Sequence, residues 1–395
     1  LAQQAAGSWV LLAWLFMFIG AIPTAWVMGR ISIDFPNDNG ILQFISKVVS
    51  PRVAAATSQL IVIIMVIGNP IMGVISARYA IAAFGLDFHF LYPLAIAFMF
   101  LSIAFNLMGV RNSSRVQTLF VAVAMLTLIV LAVMSILQAD SIVPQPQPLQ
   151  INGFFVAIGI CFFAFLGWEN VATIAPDVKN PERTFPISLL ICVPLVGLIY
   201  LVVALALLLT TENSGLNGNF AVMDHLVAAY ANPQLSFGVN ILALVVVVLS
   251  TNAWVLSAAR LLSSGVRDGH LPALLSPGTG GTDLQTMGTL AISYSLVIGL
   301  MYHFEGGEDA VVPLISAGFL VIYLVTFWGA LRHYRRASTA KFAAAAFVMI
   351  LFFALSVWLN SLLITVFLVA LMASNHLRFV RPTLATSLHP VTEET

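Results

Sequence analysis

The sequence predicts an all-α membrane protein, and three observations lead to this fold class. Of the 395 residues, 60% are hydrophobic and 8% are charged, and the mean hydropathy is +1.01. Too few polar residues are present to cover the surface of a water-soluble fold of this size. The apolar residues also fall in stretches long enough to cross a bilayer, and the basic residues fall in alternate loops. A soluble enzyme is therefore not expected.

Eleven apolar stretches of roughly 20 residues are candidates for membrane spans. They lie near 8–29, 54–84, 91–110, 118–137, 153–175, 186–211, 237–262, 285–304, 311–331, 341–359 and 361–376. We interpret the whole chain, 1–395, as one transmembrane domain in which 377–395 form a tail. An odd number of spans places the two chain ends on opposite sides of the membrane.

The Lys and Arg residues predict the orientation of these spans, because short cytoplasmic loops hold most of them. Fifteen of the sixteen lie in every second loop or in the tail: Arg30, Lys47, Arg52, Arg111, Arg115, Lys179, Arg183, Arg260, Arg267, Arg332, Arg335, Arg336, Lys341, Arg378 and Arg381. The exception is Arg78, which we expect to snorkel to the outer head groups, although it is also a candidate gate cation. The C-terminus is thus predicted to be cytoplasmic.

The remaining composition favours no partner besides the bilayer and a small molecule. The net charge is zero, so no basic field attracts nucleic acid. The seven His residues occur singly, and Cys161 and Cys192 each lie in an apolar run, so neither a metal site nor a cofactor is expected. Residues 40–52 predict a short helix in the membrane interface, and Gly278-Thr279-Gly280-Gly281 predicts a flexible turn.

Glu169 is the one carboxylate well inside a predicted span. An unpaired charge at mid-bilayer costs roughly 2.5 kcal/mol or more, so this side chain should face a cavity or a partner. Gly167 lies two positions earlier and weakens the helix, and broken helices in transporters expose backbone groups that hold a substrate. The alternative is that Gly167 permits close helix packing and Glu169 pairs with a hydroxyl or an Arg.

Three weaker polar positions lie in other predicted spans. Ile67-Gly68-Asn69-Pro70 interrupts the second span, and either kinks it around one hydrogen bond or lines a cavity. Asn252 in the seventh span and Ser316 in the ninth are candidates for lining a pathway, although small polar residues are ordinary at helix contacts.

Three motifs carry a resemblance to a known family. Phe163-Ala164-Phe165-Leu166-Gly167-Trp168-Glu169 is followed by Lys179-Asn180-Pro181-Glu182-Arg183-Thr184-Phe185-Pro186, and Arg267-Asp268-Gly269-His270-Leu271-Pro272 follows the seventh span. With these residues the chain resembles amino acid permeases of the amino acid–polyamine–organocation superfamily over nearly its whole length. Within that superfamily, the ninth span and the loop lengths are most similar to bacterial exporters of methionine and branched-chain amino acids.

The resemblance implies a leucine-transporter fold, with two inverted five-helix repeats whose first and sixth helices are broken at the centre. In that numbering the first span here is the family's second helix, so eleven of twelve helices are expected in these 395 residues. The family's first helix, which holds the substrate carboxylate, would precede Leu1. The expected setting is the inner membrane of a bacterium.

The resemblance also implies roles for individual residues. Phe163 falls where the arginine/agmatine antiporter has an aromatic that closes over substrate, and Glu169 falls on a carboxylate proposed to sense protons. Gly68 and Asn69 match a third-helix motif whose Asn contacts substrate. Many proton-coupled relatives have a Lys where this chain has Ala124, so proton coupling through that Lys is not expected.

The sequence therefore predicts a secondary transporter of neutral, apolar amino acids such as methionine, leucine, isoleucine and valine. Export or exchange by alternating access is the first hypothesis. An importer, an amino acid/amine antiporter and a non-transporting sensor or scaffold remain alternatives. Protons are a candidate coupling ion, and the chain is expected to be a monomer or homodimer. The side chain of the substrate would be enclosed by aromatic residues beside Gly167, namely Phe162, Phe163, Phe165 and Trp168.

Overall fold

A computed structural model of the chain describes residues 2–36, 40–109, 114–139, 148, 150–168, 178–211, 222–228, 230, 232–304, 307–334 and 337–357. Within these ranges the regular structure is helical and no strand occurs. Several predictions concern residues outside these ranges, namely the position of Glu169, the end of the fifth span at 169–175, the span at 361–376 and the tail at 377–395.

Thirteen α-helices and two short 3-10 helices make up the described part of the chain. They are α1 (Ala2–Ala6), α2 (Val10–Asp34), α3 (Gly40–Val48), α4 (Pro51–Phe84), α5 (Leu91–Leu107), α6 (Ser114–Leu137), α7 (Ile151–Ala164), α8 (Pro181–Thr211), α9 (Val222–Ala228), α10 (Pro233–Arg267), α11 (Leu284–His303), α12 (Gly307–His333) and α13 (Ala337–Val357), with 3-10 helices at Gly7–Trp9 and Phe88–Phe90.

Eight helical segments among the described residues are long and apolar enough to cross a membrane. They are Ala2–Asp34, Pro51–Phe84, Phe88–Leu107, Thr118–Leu137, Pro181–Thr210, Pro233–Arg267, Leu284–His303 and Leu314–His333. These match the first four predicted spans and the sixth to the ninth. The fifth and tenth predicted spans correspond to shorter apolar helices, Ile151–Ala164 and Ser338–Ile350. The chain is thus an all-α, multi-pass membrane protein.

Side-chain caps determine where three of the long helices begin. Ser50, Asn232 and Asp283 each accept a hydrogen bond from the backbone N–H three residues later, at 3.1, 3.0 and 2.8 Å. Such caps satisfy N–H groups that have no partner within the helix. Pro51 and Pro233 follow two of these caps, at the helix position where a proline loses no hydrogen bond. The helices therefore begin one to four residues before the predicted spans.

Two hydrophobic cores organise the bundle. The larger one contains buried residues of α1, α2, α3, α4, α5, α7, α8, α10, α11, α12 and α13. The smaller one joins the C-terminal end of α4 with α6, α8, α9 and α10. Helices α4, α8 and α10 contribute to both cores, and α4 and α10 pack along each other, so these helices connect the two cores.

Helices α4 and α12 approach each other closely through a pair of glycines. A Cβ on Gly68 would lie 2.9 Å from Cδ1 of Ile315, and a Cβ on Gly318 would overlap Ile64. Each glycine thus receives an isoleucine of the opposite helix. Small residues commonly permit this kind of backbone approach between membrane helices.

Helix α3 packs its apolar face against protein. Ile41, Leu42, Phe44 and Ile45 are buried, and the helix lies against α4 and α12. Phe44 and Val49 fill the space over Gly329 of α12. The sequence predicted that a helix here would lie in the membrane interface; the hydrophobic face responsible for that prediction is covered by the bundle.

The loop between α10 and α11 folds back on α10. Its Gly278, Gly280 and Gly281 all have positive φ angles, of 76°, 118° and 96°. The N–H of Gly280 donates to Oγ of Ser263 at 3.0 Å. A Cβ on Gly281 would lie 2.7 Å from the backbone carbon of Ala259. The turn predicted from the glycines is therefore packed directly on a helix backbone.

This packing predicts different effects for two neighbouring substitutions. Gly281→Ala and Gly280→Ala both place a side chain at positive φ, but only the first collides with backbone, since the space beside Gly280 is open. We expect Gly281→Ala to cost about 1–3 kcal/mol more in unfolding free energy, the usual cost of overpacking. Thermal unfolding of the purified variants in detergent measures this, with Gly288→Ala as a control in open space. Equal melting temperatures for the Gly280 and Gly281 variants would contradict the account.

Candidate functional site

Helix α7 stops in the middle of the predicted fifth span. Its last helical residue is Ala164, and the N–H groups of Phe165 and Leu166 turn back to the carbonyls of Phe162 and Phe163, at 2.9 and 3.2 Å. Gly167 follows with a φ of 121°, a conformation that L side chains rarely adopt. The sequence prediction that the helix weakens at Gly167 thus corresponds to a real interruption.

Aromatic side chains hold the end of α7. The hydroxyl of Tyr200, on α8, donates to the carbonyl oxygen of Ala164 at 3.0 Å. The ring of Tyr200 also meets Phe165 edge-on, with 5.2 Å between centroids. Trp14 of α2 contacts both rings, at 5.1 Å from Tyr200 and 6.2 Å from Phe165. Helices α2, α7 and α8 are therefore joined at the interruption.

A small apolar cavity, partly open to solvent, lies beside this helix end. Its lining residues in the described part of the chain are Met17, Gly20, Ala21, Thr24, Phe162, Phe165, Trp168, Tyr323, Met349 and Ile350. None of these side chains carries a charge. The cavity brings together α2, α12, α13 and the interrupted end of α7.

Three of the predicted aromatic residues line this cavity, namely Phe162, Phe165 and Trp168. Phe162 is almost fully buried and packs edge-on against Tyr323, with 5.7 Å between ring centroids. Phe163 is half-buried against the large core and is not among the described residues that line the cavity. Gly167 lies beside the ring of Trp254 of α10: its Cβ would be 4.0 Å from Cζ2.

Asn69 holds three helices together in the middle of the bundle. Its Nδ2 donates to the hydroxyl of Tyr294 on α11 at 2.8 Å and to the carbonyl of Trp254 on α10 at 3.3 Å. Asn69 and Tyr294 are both buried. The sequence left two interpretations open, a kink held by a hydrogen bond or a cavity lining, and the contacts of Asn69 match the first. The neighbouring Gly68 packs against Ile315.

Asn252 takes part in a second buried hydrogen-bonded pair, formed by two amide side chains. Nδ2 of Asn106, on α5, donates to Oδ1 of Asn252 at 2.7 Å and lies 3.2 Å from its backbone carbonyl. Asn106 also donates to the carbonyl of Ser102 in its own helix at 2.8 Å. Through Asn69 and Asn252, the helices α4, α5, α10 and α11 form one hydrogen-bonded frame.

Ser316 is buried on α12, and among the described residues its Oγ has no hydrogen-bond partner. A buried hydroxyl without a partner costs free energy. The hydroxyl of Ser316 is therefore available to hydrogen-bond a ligand, as far as the described residues are concerned.

Several participants are absent from the sequence-based prediction of the site. Tyr200, Tyr294 and Asn106 act through partners far away in the chain, so only the fold brings them to the site. Met349 and Ile350 belong to an apolar span that gives no polar cue. Asn106 is the one that a search for amides within predicted spans finds.

The perturbed ionisable groups described outside the membrane-spanning helices do not belong to the cavity. Hydrogen bonds from His89, first of all from its backbone N–H, hold the pKa of the Asp87 carboxyl below its usual range. Burial lowers the pKa of His270, and the nearby charge of Asp268 partly opposes this shift. These groups therefore contribute no charge to the lining of the cavity.

Comparison with known sequences agrees with this architecture. A family model described as amino acid permease matches residues 1–388. The chain is 27% identical over 344 residues to the L-methionine/branched-chain amino acid exporter YjeH of Escherichia coli, covering 82% of this chain and 78% of that protein. It is 23% identical to the uncharacterized amino acid permease YecA of Bacillus subtilis, covering 83% and 78%. It is 26% identical to cationic amino acid transporter 5 of Arabidopsis thaliana, covering 60% and 41%.

The bond between Asn69 and Tyr294 predicts coupled losses of stability. Asn69→Ala and Tyr294→Phe should each lower the unfolding free energy by about 1–3 kcal/mol, because each leaves a buried polar group without its partner. The double variant should lose clearly less than the sum. Denaturation in mixed detergent micelles measures these energies, and Ser295→Ala, which removes only a bond within α11, is the control. Strictly additive losses would show that the bond contributes nothing.

Proposed function

Because the chain belongs to the amino acid permease family, we propose that it carries neutral, apolar amino acids across a bacterial inner membrane by alternating access. Methionine, leucine, isoleucine and valine are the proposed substrates, and export or exchange is the proposed mode. The observation that carries this proposal is the uncharged cavity at the interrupted end of α7.

The lining of the cavity supports an apolar ligand. In this conformation the cavity has room for about one water molecule, so its walls must move apart to admit an amino acid side chain. Met17, Ala21 and Ile350 offer aliphatic and thioether surface to a ligand side chain, and Phe162 and Trp168 offer aromatic surface. A charged side chain would lose its hydration in this lining without a partner among the described residues, which is costly.

The charged ends of an amino acid need polar groups, and the helix interruption offers the main candidate. The C-terminal end of an α-helix carries a partial negative charge, so the end of α7 favours the α-ammonium group. The hydroxyls of Thr24 and Tyr323 and the indole N–H of Trp168 belong to lining residues and are hydrogen-bonding candidates. We propose that Ser316 and Gly167 also offer polar groups to the substrate when the pathway widens during transport.

The packing suggests which parts move during transport. Asn69 and Asn252 hydrogen-bond α4, α5, α10 and α11 into a frame, whereas Trp14, Phe165 and Tyr200 join α2, α7 and α8. We propose that the second group moves against the frame, so that access to the cavity alternates between the two sides. Asn69, Gly68 and Asn252 would then act by keeping the frame intact, and Phe163 by closing over the substrate.

A different substrate and different modes of action remain alternatives to this proposal. Similarity to a plant protein named as a cationic amino acid transporter favours a cationic substrate, but the described cavity holds no carboxylate.

Glu169 is our candidate for proton coupling, and protons or a second amino acid are the proposed coupling partners. An importer or an amino acid/amine antiporter would share the same cavity. A sensor or scaffold would bind substrate without flux. We place the C-terminus in the cytoplasm and expect a monomer or homodimer.

Flux measurements in proteoliposomes test the proposed function. The purified chain should show saturable exchange of labelled methionine, which leucine, isoleucine and valine inhibit at least tenfold more strongly than arginine or glutamate. Imposing a pH gradient separates proton-coupled transport from exchange. Liposomes without protein are the control. Preferential inhibition by arginine would favour the cationic alternative, and ligand binding without flux would favour a sensor.

Gly167→Ala tests the helix interruption. A Cβ on Gly167 would lie 4.0 Å from Cζ2 of Trp254, an ordinary contact, so the substitution adds no clash; an L residue at a φ of 121° is nevertheless strained by about 1–3 kcal/mol. We expect methionine exchange to fall about tenfold while the protein stays monodisperse in detergent. Gly159→Ala is the matched control, because Gly159 lies in α7 with open space and no positive φ. Unchanged exchange in Gly167→Ala would contradict a role for the interruption.

A further inference from the structure

One wall of the cavity is built differently from the others. Met349 of α13 lies over the backbone of α2 at Gly20, and both residues line the cavity. A Cβ on Gly20 would overlap the Cε methyl of Met349 and would lie 3.1 Å from its Sδ. The absence of a side chain at position 20 is therefore what allows the thioether to occupy this place.

Other residues that line the cavity are tightly packed. Tyr323 is completely buried between Phe162 and the ring of Phe319, at centroid distances of 5.7 and 6.4 Å. Ile350, next to Met349 on α13, is also buried. These side chains have little free space to change rotamer, because protein interiors are close-packed.

Met349 differs from them in both exposure and chemistry. It is half-buried, and its unbranched side chain rotates about three bonds, which lets methionine adapt to irregular neighbours. Since its tip meets the bare backbone of Gly20, a small movement of the tip changes the width of the cavity without displacing either helix.

We infer that Met349, seated on Gly20, is an adjustable wall that determines how large a side chain the site accepts. This inference rests on the proposed function and adds two specificity-determining residues to it. When a larger substrate enters, the thioether withdraws along the Gly20 surface; with a smaller one, it fills the remaining space. One flexible residue would thus let a single cavity accept valine, leucine and methionine.

The inference predicts opposite effects for the two positions. Met349→Ala removes the wall, so phenylalanine should gain at least tenfold in apparent affinity relative to valine, within the range that hydrophobic pockets achieve for changes in side-chain size. Gly20→Ala displaces the thioether into the cavity, so methionine and phenylalanine should lose at least tenfold relative to valine. A mere loss of packing would weaken all substrates alike.

The experiment measures inhibition constants of alanine, valine, leucine, methionine and phenylalanine against labelled methionine exchange, and substrate-induced thermal shifts as a readout independent of flux. Val348→Ala and Ile19→Ala are the matched controls, because each neighbours a test position and is exposed, at 63% and 54%. Met349→Leu, close in volume but branched, should narrow the range of accepted side chains. This variant and Met349→Ala keep the test decisive if Gly20→Ala does not fold.

The possible outcomes separate two kinds of failure. Opposite shifts in size preference at the two positions, absent from the controls, support the inference. A wild-type protein that binds and exchanges these amino acids, with variants that retain its order of preference, overturns the inference alone. A wild-type protein that gives neither a thermal shift nor flux with any of the five overturns the proposed function and the inference with it.

Discussion

The structure depends on one constraint, namely that a backbone inside a hydrocarbon layer must find its hydrogen-bond partners within the protein. Helix α7 ends at Ala164, in a segment apolar enough to lie in the membrane, and the hydroxyl of Tyr200 supplies a partner for that last carbonyl. Phe165 and Trp14 surround the same point with aromatic surface. Because this carbonyl finds its partner locally, the helix can stop there, and an uncharged cavity lies beside its end.

Polar and apolar contacts stabilise different parts of this bundle. Buried amides act at few positions: Asn69 joins α4 to α10 and α11, and Asn106 joins α5 to α10. Rings and small residues act elsewhere, as in the fit of Ile315 against Gly68. A hydrogen bond in an apolar layer has no water to replace it, so the amide frame resists separation, whereas ring contacts permit sliding. This difference is the basis of the proposed division into a frame and a movable group.

Much of the fold could be predicted from the sequence, because membrane helices are recognised by length and hydropathy. Seven of the described long spans begin within five residues of their predicted starts, and all-helical membrane architecture is confirmed, as is membership of the permease family. The interruption near Gly167 was also predictable, because a glycine beside a carboxylate in an apolar span is unusual. The partners of these residues were not. Tyr200, Tyr294 and Met349 have ordinary local sequences, and only tertiary packing gives them their places.

The cavity at the end of α7 is proposed to hold the side chain of an apolar amino acid. Selenomethionine bound to protein containing ordinary methionine tests it most directly, since the selenium atom is located by anomalous diffraction independently of the sulfur atoms of Met17 and Met349. We predict a selenium peak between Phe162, Trp168 and Ile350. A peak that lies elsewhere in the protein, with this cavity unoccupied, would contradict the account.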